Sequence, residues 1–188
     1  MELYWGPKSQ IYIAPISNEE VCVSLLSRDP KPRLDQALEN FPEVSARLRD
    51  AIPVSSEMGG MSISRSLRKV CCPGLALVGD ASGSIDAVTG EGLCISFKQA
   101  LALAGAFASG DLRAYESAHR QIARRPRIMA SLLLLLDNHR LSQRRALAAL
   151  ARHPDVFASL LAIHVGERSF GDLFSWRIVE FCRTYLAV

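Results

Sequence analysis

The sequence predicts an α+β fold, or a fragment of an α/β fold, in which a small, mainly antiparallel sheet is followed by helices. Three observations lead to this prediction. Residues 10–26 have strand patterning, Leu75–Val78 is a short apolar run that enters a glycine-rich loop, and the chain beyond residue 110 has helical patterning. Of the 188 residues, 49% are hydrophobic and 22% are charged, which is typical of a globular protein and excludes a disordered or fibrous chain.

The first third of the chain predicts strands and short helices. Gln10–Ile16 and Val21–Leu26 are separated by four residues of turn composition, so they predict a hairpin. Apolar residues then recur at helical spacing, interrupted at Pro42, and predict one or two short helices. Met61–Ser64 alternates after two glycines and predicts a third strand, and Cys72-Pro73-Gly74 predicts a turn.

Two long apolar stretches predict buried helices. Leu93–Phe107 and Ile128–Leu136 are both shorter than the roughly 20 apolar residues that a membrane span requires, so we expect no transmembrane span. Gly110 is expected to end the first helix, and Asp111 to cap the next. Further breaks are expected near Pro126, near Pro154 and at Gly166–Gly171.

The cysteines predict a reducing compartment. The chain has five, an odd number without repeated spacing, and the adjacent pair Cys71 and Cys72 suits neither an ordinary disulfide nor a zinc knuckle. The first eight residues lack the pattern of a secretory signal. We therefore expect a cytoplasmic protein with free thiols and no metal.

Basic charge is concentrated in one helical segment. Residues 113–152 contain nine arginines but only two acidic residues, whereas the whole chain has a net charge of +3. Such a segment is usually a solvated helical face, and anionic-membrane or nucleic-acid binding is the alternative. Nucleic acid is the less favoured partner because Tyr115 is the segment's only aromatic residue for base stacking.

The stretch from Leu75 to Ala100 has the pattern of a ligand site. Gly79 allows a tight exit from the apolar strand, and Asp80 then presents a carboxylate at the sheet edge where ligands of α/β folds bind. Ten residues later, Gly90-Glu91-Gly92 opens a helix whose free amides and positive dipole end favour an electron-rich group.

These residues resemble a known family. The run Gly79-Asp80-Ala81-Ser82-Gly83, followed by Asp86 and then Gly90-Glu91-Gly92-Leu93, is similar to the second FAD-binding motif of geranylgeranyl-reductase-like oxidoreductases and flavoprotein monooxygenases of the para-hydroxybenzoate-hydroxylase type. The resemblance implies that FAD is the cofactor and NAD(P)H the reductant, with a small or lipidic substrate. It also implies cofactor contacts from residues Gly79, Asp80, Ala81, Gly90, Glu91, Gly92 and Leu93. No catalytic residue is implied.

The resemblance divides the chain into three parts. Residues 1–70 resemble part of the family's substrate-domain sheet, through Tyr4-Trp5-Gly6-Pro7 and the hairpin. Residues 71–110 carry the motif and its helix. Residues 111–188 form a helical C-terminal region. Ala87 replaces the family's proline. The chain has no Gly-x-Gly-x-x-Gly unit, which in this family holds the ADP half of FAD, so we expect a fragment, the second half of a split enzyme, or a remnant.

Two alternative functions remain open. The motif is also compatible with an ordinary strand–loop–helix connection in a non-catalytic interaction module that no longer binds FAD by itself. The arginines are compatible with an anion-binding helical protein. Within the motif, Glu91 is expected to be a first-turn helix acid rather than a catalytic group, and Asp86 a loop-structuring residue rather than an acid catalyst.

Overall fold

The computed structural model describes residues 1–6, 8–173 and 176–187, so Pro7 of the predicted N-terminal motif lies outside the described residues. The chain forms two compact units, Met1–Met61 and Ser62–Val188. Helix accounts for 56% of the structure and strand for 14%, and the sheets are small and antiparallel. The predicted α+β class is therefore confirmed.

The first unit is a three-stranded antiparallel sheet with two short helices. Strands β1 (Glu2–Trp5), β2 (Ser9–Pro15) and β3 (Val21–Ser27) lie in that order, and β2 and β3 form the predicted hairpin, with Pro15 opposite Val21. Helices α1 (Leu34–Leu38) and α2 (Pro42–Arg47) follow, and Pro42 starts α2, where its missing N–H costs nothing. The core of this unit consists of Ile11, Ile13, Phe41 and Val44.

The strands of the second unit are only two residues long. β4 (Arg65–Ser66) pairs with β7 (Gly83–Ser84), and β5 (Cys71–Cys72) pairs with β6 (Leu75–Ala76) around the predicted Pro73-Gly74 turn. The predicted strand at Met61–Ser64 is wrong. The hydroxyls of Ser62 and Ser64 instead accept hydrogen bonds from the backbone N–H groups of Ala87 and Asp86, so side-chain contacts take the place of a strand ladder.

The predicted apolar strand Leu75–Val78 is shorter and more exposed than expected. Only Leu75–Ala76 is a strand, its one partner is β5, and Leu75 is 56% exposed. Asp80 therefore follows an isolated hairpin and not the carboxyl edge of a buried sheet. The sequence expectation was wrong here because a wholly apolar run predicts burial but does not reveal which strands supply it.

In the part of the chain that the structure describes, five α-helices complete the second unit. They are α3 (Gly92–Ser109), α4 (Leu112–Asn138), α5 (Arg140–Arg152), α6 (Pro154–Val165) and α7 (Trp176–Ala187). As predicted, α3 ends at Gly110, which has φ +69°, and the Asp111 carboxylate caps α4 by accepting from the N–H of Arg113 at 2.9 Å. Helix α3 packs against α4, and Val70, Ala106 and Tyr115 form a buried cluster.

Two expectations about the helices are corrected. Helix α4 passes through Pro126 without a break, since proline removes one hydrogen bond but its ring is buried in the packing. The two apolar stretches are not fully buried, because neighbouring helices cover only part of each surface. Leu93 and Phe97 on α3 are 74% and 65% exposed, and Leu135 on α4 is 56% exposed.

Of the residues that the structure describes, one helix has the length and apolar composition of a membrane-crossing segment. This is α3, of which 11% is buried. Helices α5 and α6 meet the same criterion only as a pair, and that pair is bent by 108°. Within the described ranges, no group of three or more His, Cys, Asp or Glu side chains is placed to hold a metal ion.

Candidate functional site

The Gly79–Ser82 segment is a single 3-10 turn that begins with a glycine of positive φ and is followed by another, Gly83. Gly79 has φ +62° and Gly83 has φ +120°. A Cβ atom at Gly83 would lie 2.7 Å from the carbonyl oxygen of Arg65, where β7 pairs with β4. The backbone conformation and the close approach of the neighbouring strand therefore both require glycine at this position.

A buried polar network holds this turn from beneath. Gln99 of α3 is 2% exposed, and its Oε1 accepts a 2.8 Å hydrogen bond from the backbone N–H of Gly79. The Ser82 hydroxyl donates to the carbonyl of Gly79 at 2.7 Å, and Nε2 of His119 lies 2.9 Å from the same hydroxyl oxygen. We call Ser82, Gln99 and His119 the loop clamp, because their side chains connect helices α3 and α4 to the turn.

The protonation state of His119 follows from its surroundings. Burial, and then the nearby Arg127 guanidinium, lower the pKa of His119 below its ordinary value, so the ring is neutral at pH 7. The single hydroxyl hydrogen of Ser82 is engaged by Gly79, so His119 donates its Nε2 hydrogen to the Ser82 oxygen. His119 therefore helps to position the turn.

The second half of the loop is fixed by Asp86. Its Oδ1 accepts a 3.1 Å hydrogen bond from the N–H of Val88 and caps a short 3-10 turn, Ala87–Thr89. The backbone N–H of Asp86 donates to the hydroxyl of Ser64 at 3.0 Å. These contacts match the expectation that Asp86 structures the loop.

Helix α3 begins immediately after this loop with three amide groups that have no partner within the helix. The first intrahelical bond runs from the N–H of Ile95 to the carbonyl of Glu91, and no side chain caps the helix. The N–H groups of residues 92–94 therefore precede the hydrogen-bonded ladder, at the positive end of an 18-residue helix.

Glu91 lies in a polar cluster beneath the start of α3. Its Oε1 accepts a 3.0 Å hydrogen bond from Arg125 of α4, and its Oε2 lies 3.7 Å from Nδ1 of His164 at the end of α6. The Glu91 side chain is 11% exposed. Gly166, with φ +90°, has no room for a Cβ atom because the Arg125 guanidinium fills that space.

One groove brings together parts of both predicted halves of the site. Gly79 and Asp80 line it from the turn, Gly92 and Ser96 line it from α3, and Arg127 adds a cation from α4. Asp80 is exposed, and its backbone carbonyl accepts a 3.0 Å hydrogen bond from Arg65. The remaining residues lining the groove are Gly83, Ser84, Ile85, Ile95, Gln99, His119 and Ala123.

The other predicted site residues lie beside this groove and do not line it. Ala81 and Gly90 are exposed, Leu93 is 74% exposed, and Glu91 faces Arg125. Sequence reasoning missed Gln99 and His119. Gln99 carried a usable signal, since a polar residue within an apolar helix is often buried with a hydrogen-bond partner, whereas nothing around His119 marked it.

The comparisons with known proteins support a reductase family. The chain is 36% identical over 116 residues to the digeranylgeranylglycerophospholipid reductase of Methanocaldococcus jannaschii, a match that covers 58% of this chain and 29% of that protein. It is 31% identical over 102 residues to the protein of the same name from Methanococcus vannielii, which covers 51% of this chain and 26% of that protein.

The matched part is less than a third of the length of these relatives. No protein-family model and no solved structure matches the chain. Over about half its length, the chain is similar to digeranylgeranylglycerophospholipid reductases of the geranylgeranyl reductase family.

Proposed function

We propose that this chain forms the flavin-ring wall of an FAD-dependent oxidoreductase that acts on a lipidic substrate, with NAD(P)H as the reductant. The observation that carries the proposal is the shared groove, which Asp80 and Gly92 line from opposite ends of one loop. The names of the relatives support a phospholipid with unsaturated isoprenoid chains as the substrate class. The same names favour reductase over hydroxylase chemistry.

The groove is small, about 10 Å³, so we propose that only one edge of a flat, electron-rich ring approaches it. Asp80 offers a carboxylate that can accept a hydrogen bond from a sugar-like hydroxyl, and the N–H groups of residues 92–94 offer donors and a positive helix end. A bound flavin would take hydride from NAD(P)H and pass reducing equivalents to the substrate. The aligned backbone dipoles at this helix end would favour a group that carries negative charge.

The chain does not provide a recognisable site for the rest of FAD. No Gly-x-Gly-x-x-Gly occurs in the 188 residues, so the pyrophosphate has no counterpart of the glycine-rich turn. We assign the flavin contacts to residues 71–110. Residues 1–70 would then form part of the substrate-domain sheet, and the helices of residues 111–188 would pack around the site. The proposal therefore also requires a dinucleotide-binding unit, carried either by a separate polypeptide or by another part of the same polypeptide.

Titration with flavins tests the proposal directly. Purified protein should quench the fluorescence of riboflavin and of FAD with similar affinity, because only the ring half has contacts here. Asp80→Ala should weaken both by about tenfold, the loss expected for one hydrogen bond to a charged group. Asp50→Ala, which removes an exposed carboxylate in the other unit, is the matched control. Unchanged fluorescence of both flavins at high micromolar protein would contradict flavin binding by this chain.

An interaction module is the second candidate function. The exposed stripe of Leu93, Phe97 and Leu101 on α3 favours it, since one side of this helix is apolar and open to solvent. In that case the protein would be well folded and colourless, and would take up no flavin even when a dinucleotide-binding polypeptide is added. Flavin uptake on such mixing would favour a split enzyme.

A further inference from the structure

Helix α5 carries an exposed face of arginine and leucine. Ala146 and Ala149 are buried, and the side chains on the opposite side of the helix are exposed. Leu141 is 73% exposed and Leu147 is 47% exposed. We call this surface the α5 face, and its members are Arg140, Leu141, Arg144, Leu147 and Arg152.

The charge of this face is of one sign. The sequence of α5, from Arg140 to Arg152, contains four arginines and no acidic residue. Residues 113–152 as a whole carry nine arginines against Glu116 and Asp137. Its partner is therefore expected to be anionic, and phosphate groups are the anions that guanidinium groups bind best.

The leucines decide which anionic partner fits. An exposed aliphatic side chain between arginines gains nothing from a nucleic-acid backbone, and α5 has no aromatic residue to stack on a base. At a lipid surface the same pattern is favourable, since arginines reach phosphates while leucines enter the acyl boundary. Leu132 and Leu135, 45% and 56% exposed, extend the apolar character into the last two turns of α4.

We propose that the α5 face binds the surface of an anionic phospholipid bilayer. This inference goes beyond the proposed oxidoreductase function and does not depend on flavin binding, although a lipidic substrate would be met at such a surface. The bilayer is held by electrostatic attraction to Arg140, Arg144 and Arg152 and by insertion of Leu141 and Leu147. Binding is therefore expected to weaken as salt is added.

Co-sedimentation with lipid vesicles tests the inference on the full chain. The protein should sediment with vesicles of phosphatidylglycerol mixed with phosphatidylcholine and remain in solution with phosphatidylcholine alone. Arg144→Gln should weaken binding by roughly fivefold, and Arg140→Gln with Arg144→Gln by roughly 25-fold, the loss expected for one and two cations near an anionic surface. Leu141→Gln should also weaken binding severalfold, at unchanged charge.

A matched variant separates this face from net charge. Arg113→Gln removes the same charge from an exposed residue near the start of α4, about 40 Å along the helix from α5, and should bind vesicles as the unchanged protein does. Circular dichroism should be the same for all variants, since glutamine is a good helix former.

Three results would overturn the proposal. One is an absence of binding to the anionic vesicles in low salt. The second is binding that Leu101→Gln on α3 abolishes but the α5 variants do not, which would place the membrane contact on α3. The third is binding of duplex DNA that needs the α5 arginines and ignores Leu141→Gln, combined with no vesicle binding, which would make the partner a nucleic acid.

Discussion

The loop clamp predicts the effect of replacing Gln99 by leucine. The two side chains are similar in volume, so Gln99→Leu removes an acceptor without leaving a large cavity. The N–H of Gly79 then loses its 2.8 Å hydrogen bond. The Ser82 hydroxyl is affected less, because it keeps the carbonyl of Gly79 at 2.7 Å and lies 3.3 Å from Gln99 Oε1.

The magnitude follows from the one donor that is left unsatisfied. The Gly79 N–H is half-buried, so loss of its acceptor costs up to about 3 kcal/mol, the upper value for a buried donor, and the added apolar surface of leucine offsets part of this. We expect the free energy of unfolding to fall by about 2 kcal/mol, which corresponds to a decrease in Tm of roughly 4–8 °C for a chain of this size. Riboflavin affinity should fall as well, since the Gly79–Ser82 turn loses its support.

Urea and thermal unfolding followed by far-UV circular dichroism measure this change, because the five long helices all belong to the second unit. Gln121→Leu is the matched control, an identical substitution at an exposed position on α4, and should change stability by less than about 0.5 kcal/mol. Equal stability of Gln99→Leu and Gln121→Leu would refute the reasoning, since Gln99 would then not support the turn.

Two further predictions concern stability. Gly166→Ala should lower the free energy of unfolding by about 2–3 kcal/mol, because alanine is strained at φ +90° and its Cβ atom displaces Arg125. Gly105→Ala, in open space within α3, should instead raise the free energy of unfolding by about 0.5–1 kcal/mol. Shifts of the urea midpoint in the same direction for both variants would contradict this prediction. The pKa of His119 is lower in the folded protein than its ordinary 6.5, so the unfolded chain takes up a proton first and stability should fall below pH 6.5, by up to about 1.4 kcal/mol per pH unit. His119→Gln keeps a donor and should flatten this slope between pH 6.5 and about 5.5, above the ordinary carboxyl pKa of 4.5. An unchanged slope in this interval would show that His119 is not the responsible group.

Local signals in the sequence predicted the elements that depend on a few neighbouring residues. The hairpin of the first unit, the interruption between α1 and α2 at Pro42, and the end of α3 and start of α4 at Gly110-Asp111 all follow from turn and capping chemistry. The loop before α3 could also be predicted, because glycines ahead of an apolar helix are a local pattern.

The errors arose where distant residues decide the outcome. Met61–Ser64 alternates like a strand, but its serines bond to a loop more than twenty residues away. Pro126 predicted a break in the helix, yet packing around α4 outweighs its missing hydrogen bond. The role of His119 depends on Ser82, 37 positions earlier, and no local pattern reveals such a pair.

The pairing of Glu91 with Arg125 has a consequence for charge at the mouth of α3. Without a partner, the Glu91 carboxylate, one residue before the first helical amide, would repel a negatively charged ligand and oppose the field of the backbone dipoles. The guanidinium, 3.0 Å away, neutralises that repulsion at short range. The protein can thus place an acid next to an anion-attracting helix end and still keep that end electrically positive.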